Sequence, residues 1–190
     1  MSAYKNEKLS MEELQRISVE EFKQSEKLPL TLVLDDVRSM NNVGSVFRTA
    51  DAFRIEHICL CGITAQPPHK EIEKTALGAT ESVQWSYYTK TLQAVEHLIE
   101  NQYEVYAVEQ TKNSLPLSSF HLHPHTKIAL VFGHEVMGVK QEVIDRCRAS
   151  IEIPQFGTKH SLNIAVSAGI LMWHIFYQLI QKDQKYETLR

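Results

Sequence analysis

Apolar positions along the chain recur at two periods. Leu30 to Leu34 is a β-prone apolar run ending at Asp35-Asp36, and behind Asn41-Asn42 the residues Val43, Val46, Phe47, Ala50 and Phe53 recur at helical spacing. That order predicts strand, loop and helix, with the asparagines as candidate caps. The alternation continues through a strand at 57–61, a short helix at 70–76, a β-prone segment at 83–87, a helix at 92–100 and a strand at 104–108. A strand at 127–132, a helix at 140–147, a strand at 150–153 and a long helix from 162 to about 180 complete the pattern. Upstream, Ser10-x-x-Glu13 has capping-box spacing ahead of Leu14, Ile17 and Phe22, so 11–25 reads as a helix. Strands alternating with helices predict an α/β fold, a mostly parallel sheet with helices on both faces.

A chain of 190 residues that is 43% hydrophobic can bury one substantial core, so the organisation expected is a single domain over 29–182. Residues 1–28 read as an N-terminal helical extension and 183–190 as a C-terminal tail. The last helix is apolar for nearly the length of a membrane span. Asn163, Ser167, His174 and Gln178 interrupt it, however, and it closes an α/β pattern, so burial rather than membrane insertion is expected. In a domain this small, part of that burial can be against a second copy, which makes a homodimer the physical expectation.

Charge and cysteines narrow the classes further. The formal net charge is -3, so any nucleic-acid contact must come from a local patch. The opening MSAYKNEKLSMEEL has no apolar run, and the expected location is cytoplasmic. Three cysteines, Cys59, Cys61 and Cys147, lack zinc-site spacing and suit a reducing compartment. Cys59 and Cys61 fall on one face of a strand and read as core thiols. His121-x-His123-x-His125 carries Pro124 inside it and no adjacent carboxylate or thiol, so it reads as a solvent-facing loop, and no metal is expected.

Three segments concentrate candidate chemistry. Asn42-Val43-Gly44-Ser45-Val46-Phe47-Arg48 lies just beyond the C-terminal end of a predicted strand, where open parallel sheets bind ligands. Arg48 there can hold a phosphate bidentately, or be a solvated cation, and Asn42 can be a ligand-site amide or a helix cap. In Phe132-Gly133-His134-Glu135-Val136-Met137-Gly138, a buried strand runs into a loop with two glycines. Glu135 can accept hydrogen bonds from a ligand or from the Asn42 and Arg48 region, or sit at the start of the next helix. In Ile153-Pro154-Gln155-Phe156-Gly157-Thr158-Lys159-His160-Ser161-Leu162-Asn163, a strand stops at Pro154, a loop turns at Gly157, and Ser161 opens the last helix, as an N-cap or a site residue. Asn163 is a polar amide at the start of an apolar helix and needs a partner if buried.

Together the three segments, in this order, resemble the signature motifs of the SpoU (TrmH-like) branch of the SPOUT methyltransferases. The resemblance covers about residues 30–180. It implies a C-terminal trefoil knot, which no periodicity reveals, and S-adenosylmethionine bound in a bent shape by the knot loops. The positions matching the family's cofactor contacts are Gly133, Ile153 and Leu162, with Phe132, Pro154 and Gly157 beside them. Those matching its active site, assembled across a homodimer, are Asn42, Arg48, Glu135, Ser161 and Asn163. The implied reaction is methyl transfer to a ribose 2′-hydroxyl of tRNA or rRNA, with Arg48, Arg38 and Lys159 toward the RNA. The lack of an extra N-terminal RNA-binding domain leans toward tRNA.

In related enzymes the matching arginine has been proposed as the general base. A guanidinium costs about 7 kcal/mol to deprotonate at pH 7. Arg48 is therefore expected to clamp the phosphate beside the target ribose, while the proton leaves through water, Glu135 or His134. The alternatives are a catalytically silent RNA-binding module on the same fold and a Rossmann-type oxidoreductase. For the latter, no G-x-G-x-x-G follows the first strand.

Overall fold

The computed structural model describes residues 7–10, 12–123 and 126–182. Among them, seven strands form one sheet: β1 (Leu28–Asp35), β2 (Ile55–Cys61), β3 (Gln84–Tyr88), β4 (Tyr103–Val108), β5 (Leu115–Pro116), β6 (Lys127–Phe132) and β7 (Ala149–Glu152). Their order is β3-β2-β1-β6-β4-β7-β5 and every pairing is parallel. The helices are α1 (Val19–Gln24), α2 (Met40–Ala52), α3 (Lys70–Ala76), α4 (Ala79–Ser82), α5 (Thr91–Glu100), α6 (Gln141–Ile144) and α7 (Ile164–Lys182).

The two-residue alternation of β1 sorts its side chains between two cores. Leu28, Leu30, Leu32 and Leu34 join Val43, Val46 and Phe47 of α2 and Leu171 and Met172 of α7 in one buried cluster. Val33 faces the other way, with Cys59, Cys61, Ala94 and Val95 of α5 and Val143 of α6. Helices therefore cover both faces, as a parallel sheet requires. Both strand cysteines are buried free thiols, and burial pushes the Cys59 thiol up to about 11.

Several boundaries differ from the sequence reading. The Ser10 box does form, with Glu13 N–H on Ser10 Oγ and Ser10 N–H on Glu13, but Gln15 adopts a φ of 47° and the turn goes no further. A second capping box, Ser18 with Glu21, starts the real helix at Val19. Phe22 of that helix is buried in the α2 core. Helix α2 begins at Met40 with Ser39 as its cap, so Asn41 and Asn42 lie inside the first turn. Helix α7 begins at Ile164, three residues after Ser161, which excludes Ser161 as its N-cap. The expected helix at 140–147 is regular only over Gln141–Ile144, and neither α4 nor β5 was anticipated. Pro124, His125 and the tail from 183 lie outside the described residues.

Two contacts fix the elements that carry the site. Gly44 in α2 packs against α3 so closely that a Cβ there would meet the Ile72 carbonyl oxygen and Thr75 Oγ1 at 2.2 Å. Gln178 of α7 donates to the Phe120 carbonyl (2.8 Å) and accepts from Leu122 N–H (3.0 Å), binding α7 to the connection between β4 and β6.

Candidate active site

The insertion of β6 between β1 and β4 brings the C-terminal ends of strands distant in sequence to one edge of the sheet. At that edge lies a cavity of about 550 Å³, lined by the loop after β6, the ends of β4 and β7, and the approach to α7. Open parallel sheets bind ligands at such positions.

Glu135 ties the edge together. Its Oε2 accepts the Arg38 N–H (3.0 Å), and its Oε1 accepts the Ser39 N–H (2.9 Å) and the Asn42 Nδ2 donor (3.2 Å). Asn163 Nδ2 donates in turn to Asn42 Oδ1 at 3.1 Å. Asn163 Oδ1 accepts the Ala165 N–H (2.9 Å) and so caps α7. The three motif segments are thus joined by a line of hydrogen bonds from the start of α7, through the start of α2, to the loop after β6. Partial desolvation pushes the Glu135 carboxyl up, but the Ser39 and Arg38 N–H groups and the Asn42 amide outweigh it, and its pKa lies below the ordinary carboxylate value. Neither oxygen is left as a ready base.

His134 is similarly engaged. Its Nδ1 accepts the N–H groups of Val136 (3.0 Å) and Met137 (3.3 Å), which holds the ring against its own loop. Backbone bonds between His134 and Gly138, 3.1 and 2.8 Å, close a small hairpin. Gly138 has a φ of 66°, and a Cβ on Gly133 would meet the Gly138 carbonyl carbon at 2.1 Å. The two glycines therefore serve the hairpin's own closure.

Of the sequence-derived cofactor positions, Phe132, Gly133, Ile153 and Leu162 line the cavity, whereas Pro154 and Gly157 do not. Among the described residues, nothing approaches within 4 Å of where a Gly157 Cβ would stand. Ser161 and Asn163 line the cavity with Glu135. Arg48 lies six residues beyond Asn42 on the exposed side of α2, and no ion pair or hydrogen bond holds its side chain among the described residues. The side chains of Arg38 and Lys159 are exposed and, among the described residues, equally unpaired. Lys140, another cation near the edge, is taken by Asp36 at 2.6 Å.

Sequence reasoning missed Glu109 and Gln110. Glu109 accepts the N–H groups of Val139 (2.9 Å) and Gln110 (3.0 Å), and Gln110 Nε2 donates to the His160 carbonyl (2.8 Å). Their place just past β4, at the ligand-binding end of the sheet, was the available signal.

Known proteins resemble this chain in sequence and in fold. The chain is 27% identical over 157 residues to the 23S rRNA (guanosine-2'-O-)-methyltransferase RlmB of Neisseria meningitidis, covering 83% of this chain and 62% of that one. It spans about three fifths of the length of the curated relatives it matches, 61% and 62%. The A. aeolicus TrmH/SpoU tRNA modifying enzyme superposes with a TM-score of 0.77 at 22% identity, over 89% of this chain and 83% of that one. A structure concerned with 2-OH methylation of C/U34 on tRNA superposes with a TM-score of 0.72 at 25% identity, over 82% of this chain and all of the other (100%). The sequence model of the SpoU rRNA Methylase family matches residues 29–173, from the start of β1 into α7 and through every segment that builds the cavity edge. With three motif segments hydrogen-bonded together on the expected sheet, the chain belongs to the SpoU methylase family.

Proposed function

We propose that the chain is an S-adenosylmethionine-dependent RNA methyltransferase that modifies a ribose 2′-hydroxyl of tRNA or rRNA. The observation that carries this reading is the hydrogen-bonded line Asn163–Asn42–Glu135 at the mouth of the cavity. A wall of Phe132, Ile153 and Leu162 with the Gly133 backbone suits an adenosyl group, and the carboxylates beside it suit a cationic ligand. S-adenosylmethionine, when bound, supplies an electrophilic methyl group on a sulfonium.

The chain's own residues then position and bind. Asn42 and Asn163 hold Glu135, and Glu135 holds the loop before α2 through the Arg38 and Ser39 N–H groups. That leaves Ser161 exposed on the cavity wall toward substrate. Arg48 clamps the phosphate beside the target ribose, with Arg38 and Lys159 as further RNA contacts. Since Glu135 and His134 Nδ1 are occupied by backbone donors, the hydroxyl proton leaves to water.

A homodimer completes the unit. Val166, Ile170, Trp173 and Tyr177 form one stripe along α7, exposed by 51%, 37%, 53% and 50%. Such a stripe is the expected seam for a second copy. The methyltransferase unit spans 29–182, with α7 knotted through the β4–β6 connection that Gln178 grips, and it works in the cytoplasm.

The direct test is transfer of labelled methyl from S-adenosylmethionine to total tRNA and rRNA, followed by mapping of 2′-O-methyl sites lost on gene deletion. Incorporation at a ribose is expected. Binding of RNA without any incorporation would identify a silent module instead.

A further inference from the structure

The cavity wall carries charge of one sign. Glu109 at the end of β4, Glu135 after β6 and Glu152 at the end of β7 all line it, and among the described residues no lysine or arginine does. Each carboxylate is held in place by protein donors, and among the described residues none is paired with a cation. Glu109 takes the Val139 and Gln110 N–H groups, Glu135 takes those of Arg38 and Ser39, and Glu152 takes the Ser114 hydroxyl at 2.8 Å. The remaining titratable side chains of the wall are His134, whose Nδ1 accepts two N–H groups, and His160. Lys140 is spent on Asp36. A concave wall of uniform sign focuses a field that favours a cationic occupant.

Methyl transfer changes the charge of that occupant by one unit. It breaks the S–CH3 bond, leaves the electron pair on sulfur, forms O–CH3 on the ribose and releases the hydroxyl proton. A ligand with a sulfonium, an ammonium and a carboxylate thus loses its net positive charge and becomes a neutral thioether zwitterion of nearly the same shape. Shape alone cannot distinguish the two. We infer that the acidic wall makes this pocket select the charged cofactor over its neutral product, with Glu109 and Glu152 as specificity-determining residues. The inference rests on the methyltransferase reading of the same pocket. It gives the wall a role in turnover, because loss of the sulfonium charge weakens the hold on the product at the moment it must leave.

Calorimetric titration of the full chain with three probes tests this. They are S-adenosylmethionine, S-adenosylhomocysteine and sinefungin, in which an amine-bearing carbon replaces the methylated sulfur and restores the positive charge. The two cationic probes are expected to bind about tenfold tighter than the thioether in low salt, a difference of about 1.4 kcal/mol. The gap should narrow severalfold in about 1 M salt, where the Debye length falls to about 3 Å. Glu109→Gln and Glu152→Gln should each shrink the gap at least about twofold while changing thioether affinity little; a merely structural role would weaken all three probes alike and leave the ratio unchanged. The wild-type salt series and Glu152→Gln decide the matter even if Glu109→Gln fails to fold. A thioether that binds as tightly as both cations, or a gap that neither salt nor the glutamines move, overturns the inference. Failure of all three probes to bind overturns the methyltransferase reading, and this one with it.

Discussion

Asn163 donates its side-chain amide to Asn42 across 3.1 Å, which fixes the Asn42 amide with its oxygen toward α7 and its nitrogen toward Glu135. The orientation of one amide thereby decides whether the loop after β6 meets a donor or an acceptor. Asn42→Asp keeps the size and removes the donor, setting a second carboxylate 3.2 Å from Glu135. Losing a hydrogen bond to a charged group costs about 1.5–3 kcal/mol, so kcat should fall at least about tenfold. Steady-state transfer to the substrate RNA measures it, and an Asn42→Asp enzyme with wild-type kcat would remove this line of bonds from the mechanism.

Arg48 makes the opposite prediction for stability. Its guanidinium has no partner among the described residues, so Arg48→Ala should change unfolding free energy by no more than about 0.5 kcal/mol. Turnover on RNA should be abolished while cofactor affinity stays nearly intact. A variant that keeps half the wild-type activity on its true RNA ends the assignment of Arg48 as the phosphate clamp.

What could be read in advance and what could not divides along the distance between interacting residues. The β1 leucines and the α2 spacing of Val43, Val46 and Phe47 are local patterns, and they gave strand, helix and core faces correctly. Asn42 was ambiguous because its partners lie 93 and 121 positions away, and a local reading offers only the cap that Ser39 in fact provides. Ser161 was drawn into α7 because nothing in its neighbourhood marks Asn163 as the residue that caps the helix. Glu109 belongs to no motif and acts on a hairpin 30 positions away, so only the strand order brings it to the cavity. The motif resemblance supplied what periodicity lacked, since it links segments rather than neighbours.

Gly44 belongs to the first motif, yet its constraint is helix packing. A methyl group there would overlap the Ile72 carbonyl and Thr75 Oγ1 at 2.2 Å, and backbone cannot yield as a side-chain end can. Overpacking of this kind costs about 1–3 kcal/mol, more than the roughly 1 kcal/mol alanine gains over glycine in a helix. Gly44→Ala should therefore lower stability in urea denaturation. An alanine variant as stable as wild type would show that α2 and α3 can separate freely.

The α7 stripe predicts the assembly. Val166 is half exposed and belongs to no buried cluster, so an aspartate there should leave the fold intact and disfavour a seam between copies. Val166→Asp is expected to run as a monomer in light scattering, with unchanged far-ultraviolet circular dichroism. A variant that remains dimeric at micromolar concentration would move the interface off this face.

Asp35 ends β1, one position past the pairing of Leu34 with Phe132 of β6, and a buried carboxylate is costly to keep there. Its Oδ1 takes the Thr91 hydroxyl, its Oδ2 is buried without a hydrogen-bond partner among the described residues, and burial pushes its pKa up against the opposing effects of Thr91 and Lys140. Because the folded value is raised, the native state binds a proton more tightly than the unfolded chain. Stability is therefore highest below the unfolded pKa of about 3.9 and declines as pH rises through the folded value, then stays lower. Asparagine removes the charge and can still donate to or accept from Thr91 Oγ1. Asp35→Asn should accordingly raise Tm at pH 7, by about 3 °C for each 1 kcal/mol relieved in a chain this size, and the gain should shrink as pH is lowered toward 4. Thermal melts of both proteins across that range decide it: a difference that does not depend on pH would mean that Asp35 binds its proton no more tightly in the native state than in the unfolded chain. If stability rises and transfer activity falls, the buried charge is retained for what it does at the C-terminal end of β1 rather than for the fold, the pattern expected where strain and function share a site.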